Sequence, residues 1–134
     1  MNGEVALYNC VKNKNFEMFK ILLNSVFCGV TVVNYIVKGD RLKKKGQAHS
    51  LTDAEKIAYL KPIVANCSAT GNIGNIFHAI LSSAIATGQK DIFLEFLSAK
   101  EFKDEEISER ILNQITMTTN WIDVLQLVMK REQK

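Results

Sequence analysis

The densest group of charged residues lies in segment 38–46, which has a glycine near each end and a single acid. Its five cations are Lys38, Arg41, Lys43, Lys44 and Lys45. Cations at this density can contact phosphate, an acidic lipid surface or a nuclear import receptor. No aromatic residue is interleaved with the lysines, which argues against binding of single-stranded nucleic acid. A solvated loop is the simpler interpretation, and binding of an anionic surface is the alternative.

Cys67 and His78 are of the residue types that form a nucleophile and its general base. They fall on different predicted helices, and no motif orients one toward the other. We therefore expect Cys67 to be a core cysteine and His78 to be a structural histidine. The sequence predicts no catalytic residue, no cofactor and no metal site, and we do not expect an enzyme.

Two further polar motifs have simple structural interpretations. Segment 71–74 (GNIG) resembles part of a phosphate-binding loop, but it lacks the preceding strand and the third glycine, so it predicts a turn between helices. A group of acids is expected to complement the dipole of a helix start without any metal. These acids are Glu101, Asp104, Glu105, Glu106 and Glu109.

Composition places the chain among ordinary globular proteins. Its 134 residues are 47% hydrophobic and 23% charged, with a net charge of +3, which predicts one domain with its own core. The three cysteines have no zinc or redox spacing, so they are expected to be reduced thiols in a cytoplasmic compartment. We expect no signal peptide and no membrane span, because the longest apolar stretch, 26–37, is short and contains Asn34.

Helices must position all of these residues. Apolar residues spaced three and four apart predict helices at 4–11, 16–27, 77–86, 91–99, 105–117 and 121–132, with Asp104 as an N-cap. Thr52 and Glu55 have the spacing of a capping box, which predicts a helix from there to about 69, disturbed near Pro62. Segment 30–37 fits a short strand or a buried helix, and a helix is favoured. Segment 38–50 is a loop.

Three helix hairpins follow from this pattern, at 4–27, 75–99 and 104–132, around an irregular middle at 28–74. Their turns align at Lys14, Gly88 and Asn120. Three residues after each turn comes an acid, followed by two apolar pairs four residues apart, and a small residue lies four before the turn. The hairpins therefore have the sequence features of internal repeats.

This pattern resembles degenerate ankyrin repeats, in which a turn, an acid and a Leu-Leu pair recur. Segment 2–25 (NGEVALYNCVKNKNFEMFKILLNS) fits the family best, with Gly3 and Leu7 at the positions of the family's glycine and leucine. Gly88 and Asn120 are 32 residues apart, close to the family's spacing of about 33. The family's Thr-Pro-Leu-His motif does not occur, and another helix-pair solenoid family remains the alternative. The expected fold is all-α, a short stack of antiparallel hairpins with seven or eight helices.

The resemblance implies a module that binds another protein through the first helix of each pair. Its exposed positions would be Tyr8, Lys12, His78, Ser82 and Gln114. Trp121 is either an anchor for the partner or a residue that packs over the preceding turn. The terminal hairpins lack clearly polar outer faces, so a homodimer, or a place in a larger protein, is a further expectation. The alternative function is binding of nucleic acid or an acidic surface through 38–46.

Overall fold

Eight α-helices and one short 3-10 helix make up the part of the chain that the structure describes. This structure is a computed structural model that describes residues 4–26, 28–39, 49–118 and 120–132. The α-helices are α1 (Glu4–Lys12), α2 (Phe16–Leu23), α3 (Val30–Lys38), α4 (Asp53–Thr70), α5 (Ile73–Ala86), α6 (Lys90–Leu97), α7 (Glu109–Thr116) and α8 (Ile122–Glu132). The 3-10 helix covers Lys100–Phe102. No strand occurs in these ranges, so the all-α prediction and the predicted number of helices are confirmed.

The helices pack as four pairs arranged in two layers. Each odd-numbered helix contacts the helix that follows it, so α1 packs on α2, α3 on α4, α5 on α6 and α7 on α8. Successive odd-numbered helices also contact each other, and so do successive even-numbered helices. We call these two layers the odd layer and the even layer. The core between them includes the fully buried rings of Phe19, Phe77, Phe93 and Phe102.

The same left-handed turn follows the first helix of three pairs. Its residues are Lys14, Gly88 and Asn120, with φ angles of 57°, 68° and 68°. In the first two of these turns, the next residue donates its N–H to the carbonyl five positions before it, over 2.7 and 2.9 Å. This bond is characteristic of the Schellman motif, which satisfies carbonyls at a helix end. The three turns that align in the sequence are therefore equivalent in conformation.

The middle of the chain forms the second pair. Segment 30–37 lies in α3, which confirms the helix rather than the strand, and Val33 and Ile36 bury its inner face. The Thr52 side chain accepts from the Glu55 N–H and the Glu55 carboxylate accepts from the Thr52 N–H, so the predicted capping box is present. α4 continues through Pro62 and ends at Gly71, whose φ is 74°.

Three predicted helix boundaries were wrong. Gly74 lies inside the first turn of α5, so only residues 71 and 72 separate α4 from α5. α2 ends at Leu23 rather than 27, where the Asn24 N–H bonds to the Ile21 carbonyl in a tightened last turn. α7 begins at Glu109 rather than 105.

The start of α7 is capped by Ser108, whose side chain accepts from the Ile111 N–H over 3.3 Å, and not by Asp104. The backbone before it bonds to the end of α8 instead. Arg131 donates to the Glu105 carbonyl over 2.8 Å, and the Glu132 carboxylate accepts from the Ile107 N–H over 2.7 Å. These bonds keep residues 105–107 out of the helix, because backbone groups of Glu105 and Ile107 are already satisfied by Arg131 and Glu132.

Within the described residues, no helix has the length and apolar character needed to cross a membrane.

Candidate partner-binding groove

A groove of about 600 Å³ lies on the odd layer, where α3, α5 and α7 meet. Asn34 and Lys38 line it from α3, His78 and Ser82 from α5, and Arg110 from α7. The two residues from α3 are four positions apart, as are the two from α5, so each pair lies on one face of its helix. We call this cleft the α3–α5–α7 groove.

One hydrogen bond ties two of the helices together at the groove. The Ser83 hydroxyl donates to the Oδ1 atom of Asn34, and Ser83 is buried. Among the described residues, the amide N–H groups of Asn34 have no partner. Asn75 is in the opposite situation, because its amide nitrogen donates to Asn72 over 3.0 Å and its oxygen is left as a spare acceptor. The groove therefore offers both a donor and an acceptor for hydrogen bonding.

His78 also has unsatisfied hydrogen-bonding capacity. Its Nδ1 atom lies 2.8 Å from the Gly74 carbonyl oxygen. A carbonyl can only accept, so Nδ1 carries a proton. The Nε2 atom is buried and has no partner. Buried polar atoms without a partner are rare in folded proteins.

The charge on the described lining residues of the groove is of one sign. Lys38 and Arg110 are the charged residues among them, and none of them is a carboxylate. Lys38 is half-buried and Arg110 is exposed, and neither forms an ion pair with a described residue. The groove is therefore electrostatically suited to an anionic group.

The end of α3 that carries Lys38 is held by a buried polar cluster. Lys56 donates from Nζ to the Val37 carbonyl over 2.9 Å and to Gln89 Oε1 over 2.7 Å. Gln89 donates to the same carbonyl over 2.8 Å. An ammonium group at a helix C-terminus is stabilised by the helix dipole. The cluster joins α3, α4 and the turn before α6.

Lys56 was missed by the sequence interpretation, although a signal was present. It is the fourth residue after the N-cap Thr52, and Phe19 and Phe93 stand fourth after the N-caps of α2 and α6. All three side chains are fully buried. A lysine within an apolar helical stripe marks a buried charge, and buried charges need bonded partners.

His49 bonds to the C-terminal end of α3. Its Nε2 atom lies 2.9 Å from the Ile36 carbonyl oxygen and 3.1 Å from that of Tyr35, and its Nδ1 accepts from the Leu51 N–H over 3.3 Å. The His49 N–H also bonds to the Gly39 carbonyl over 3.4 Å. Residues 39 and 49 are thus in contact at the end of α3. The basic residues Arg41, Lys43, Lys44 and Lys45 lie outside the described residues.

The structure brings two of the five predicted contact residues, His78 and Ser82, into one groove. Tyr8 lies on the other side of α3, where its ring centroid is 4.8 Å from that of Tyr35. Lys12 is exposed at the end of α1. Gln114 is half-buried on α7, and its Oε1 atom is buried without a partner.

Trp121 is not available as a surface anchor for a partner. It is only 5% exposed, and its ring lies edge-on to Phe93 with 5.3 Å between centroids. The residue follows the left-handed turn at Asn120 and fills the space between α8 and α6. This placement agrees with the interpretation of Trp121 as a packing residue.

The thiols are placed as core residues. Cys28 and Cys67 line a cavity of about 240 Å³ between the end of α2 and α4. Burial raises the pKa of Cys28 to about 12 and the pKa of Cys67 to about 11. The reactive form of cysteine is the thiolate, and these environments disfavour it. Among the described residues, no group of three His, Cys, Asp or Glu side chains is arranged to hold a metal ion.

Comparison of the chain with protein-family models, with curated proteins and with solved structures finds no match.

Proposed function

We propose that this chain is a protein-binding module that holds a partner in the α3–α5–α7 groove and acts by binding rather than by catalysis. The observation that carries the proposal is the meeting of His78 and Ser82 with Lys38 and Arg110 in that groove. Donors and acceptors in it lack partners among the described residues, and all of them are positioned by helices. Sites on helices are held more precisely than sites on loops. The ankyrin-like repeat pattern agrees with this use of the odd layer.

A pair of tryptophan substitutions tests the groove. Ser82→Trp would fill it, whereas Ser98→Trp adds the same bulk at an exposed position on the other layer. Tagged wild-type and variant proteins are incubated with nuclease-treated lysate, and the retained proteins are identified by mass spectrometry. We expect a discrete set retained by the wild type and by Ser98→Trp but lost with Ser82→Trp. Equal retention by all three would show that the partner does not use the groove.

A second candidate function is binding of nucleic acid or an acidic surface, favoured by the five cations in 38–46. Binding of this kind weakens steeply with salt because counterions are released. Replacing Lys43, Lys44 and Lys45 by alanine should abolish it and leave groove-dependent protein binding intact. Omitting nuclease from the lysate experiment separates the two functions.

Self-association through the last helix pair is part of the same proposal. Met117 is 86% exposed and Ile122 is 72% exposed, and both lie at the turn between α7 and α8. Apolar side chains at the end of a repeat stack favour association when no polar cap covers them. Analytical ultracentrifugation of the wild type and of the double variant Met117→Ser/Ile122→Ser measures this self-association. A concentration-dependent dimer lost in the double variant is expected, and a monomer at all concentrations would contradict it.

A further inference from the structure

We infer that the α3–α5–α7 groove takes an extended, acidic segment of the partner protein. This inference rests on the proposed function and names the chemistry of the segment that the groove would hold. It is carried by the charges in the groove, by the spare donor of Asn34 and the spare acceptor of Asn75, and by the length of α3.

The two cations in the groove favour a bound segment with acidic residues. Lys38 lies at the end of α3 and Arg110 in the first turn of α7, so the two cations approach the groove from different helices. Two carboxylates near the start of α7 do not line the groove: Glu105, which lies beside Gly74, and Glu109. A bound segment with Asp or Glu residues at two points would pair with both cations without meeting a carboxylate in the described lining. Such pairing contributes specificity and a faster association rate.

The amide groups select a peptide backbone. The spare donor of Asn34 can bond to a peptide carbonyl, and the spare acceptor of Asn75 can bond to a peptide N–H. An extended chain offers both groups repeatedly along its length. From Val30 to Lys38 the axis of α3 rises about 12 Å, which matches about four extended residues at roughly 3.3 Å each. The groove thus accommodates a short linear segment.

The lining favours a peptide over single-stranded nucleic acid. Val30, Ala79 and Ile111 supply its apolar part, and no Phe, Tyr or Trp ring is among the described lining residues. Single-strand binding sites rely on aromatic rings that stack on the bases. Small apolar and amide-bearing side chains instead match a peptide with alternating side chains and backbone groups.

The test is a selection of peptides followed by binding measurements. A phage-displayed library of random 12-residue peptides is selected on the immobilised full chain, and enriched sequences are made with a fluorescent label. Affinities are then measured by anisotropy for the wild type, Lys38→Glu/Arg110→Glu and Ser82→Trp. Lys103→Glu/Lys130→Glu is the matched control, since it makes the same charge change at two exposed lysines outside the groove. Circular dichroism establishes that each variant is folded.

We expect the enriched peptides to be rich in Asp and Glu. Binding should weaken at least about tenfold in Lys38→Glu/Arg110→Glu, because two attractions become repulsions, and less than about twofold in the control. Replacing the acids of the peptide by Asn and Gln should weaken binding by a similar factor. The affinity should also fall with salt between 50 and 300 mM, because partly exposed charges are screened.

The outcomes separate this inference from the proposed function. Peptides without acidic enrichment that lose binding with Ser82→Trp would overturn the inference and leave a protein-binding groove. A failure to recover any groove-dependent peptide would count against both. A 20-nucleotide single strand that binds more tightly than any selected peptide, and is lost in Lys38→Glu/Arg110→Glu, would assign the groove to nucleic acid and overturn the inference.

Discussion

The Nζ atom of Lys56 lies 2.7 Å from the Oε1 atom of Gln89, and both side chains are buried where the second helix pair meets the third. Each also donates to the Val37 carbonyl at the end of α3. A single bonded triangle therefore fixes α3, α4 and the turn before α6 relative to one another. The C-terminal wall of the α3–α5–α7 groove depends on this triangle, since Lys38 follows Val37 directly.

Lys56→Met should lower the free energy of unfolding by about 1–3 kcal/mol. The methionine fills most of the same volume, but Gln89 Oε1 would be buried without its donor, which carries a desolvation cost of that size. Urea unfolding gives the value. Lys61→Met, at an exposed position on the same helix, is the control and should change stability by less than about 0.5 kcal/mol.

Gly39→Ala should lower stability by about 2–3 kcal/mol, the cost of forcing atoms into an occupied site. A Cβ atom at residue 39 would lie 2.4 Å from the Cδ2 atom of His49, and that ring is held by its bonds to α3. Gly88→Ala is the comparison, because its φ of 68° strains alanine by about 1 kcal/mol but nothing lies within 4 Å of the added atom. In a His49→Ala background, Gly39→Ala should lose most of its effect. An unchanged cost in that background would show that the ring is not the obstacle.

The three cysteines should react slowly with Ellman's reagent in the native protein at pH 8. All three are buried, and the pKa of Cys28 is raised to about 12. From the ordinary value of 9.0, this lowers the thiolate fraction of Cys28 about a thousandfold at pH 8, apart from any effect of access. In concentrated urea all three should react at the rate of free cysteine. Native labelling at that same rate would contradict the placement of these residues.

The same buried thiols should make the folded protein less stable at alkaline pH. Their pKa values are raised in the folded state, so the fold favours the neutral form. The stability that this preference contributes is fully present below about pH 9. It is lost as the pH rises toward the folded-state pKa values of Cys67, about 11, and Cys28, about 12. Stability measured from pH 8 upward should therefore decline, and the part of the decline due to Cys28 should be absent in Cys28→Ala.

Ser108→Ala should cost about 1 kcal/mol, and Asp104→Ala should cost almost nothing. The Ser108 side chain caps α7, and loss of an N-cap typically has that effect. Asp104 is exposed and lies before the non-helical residues 105–108 that lead to α7. Thermal unfolding of both variants shows which of the two residues caps α7. A larger loss for Asp104→Ala would mean that α7 begins earlier than residue 109.

Much of the helix pattern was predictable from the sequence because its determinants are local. Apolar spacing located the helices, and Thr52 with Glu55 marked the start of α4. The alignment of Lys14, Gly88 and Asn120 identified three turns with the same left-handed backbone. A turn depends on a few neighbouring residues, so a sequence pattern is sufficient to find it.

Features that depend on distant residues were not predictable in this way. α7 begins later than predicted because Arg131 and Glu132, at the other end of the hairpin, bond to the backbone of residues 105–107. In the candidate site, His78 and Ser82 came from the repeat alignment, but Asn34 and Arg110 join them only through packing of three helices. Trp121 is an example of the same limit, since its burial against Phe93 depends on how α8 meets α6.

The contact between Gly39 and His49 joins two residues that lie ten positions apart in the sequence. Because the N–H of one residue bonds to the carbonyl of the other, the ends of the intervening stretch are held together by the folded helices rather than by the stretch itself. The entropic cost of bringing the two ends of a chain segment together rises by only about 0.6 kcal/mol for each doubling of its length. A foreign epitope or a longer recognition sequence inserted between Gly39 and His49 should therefore leave the stacking of the helix pairs intact.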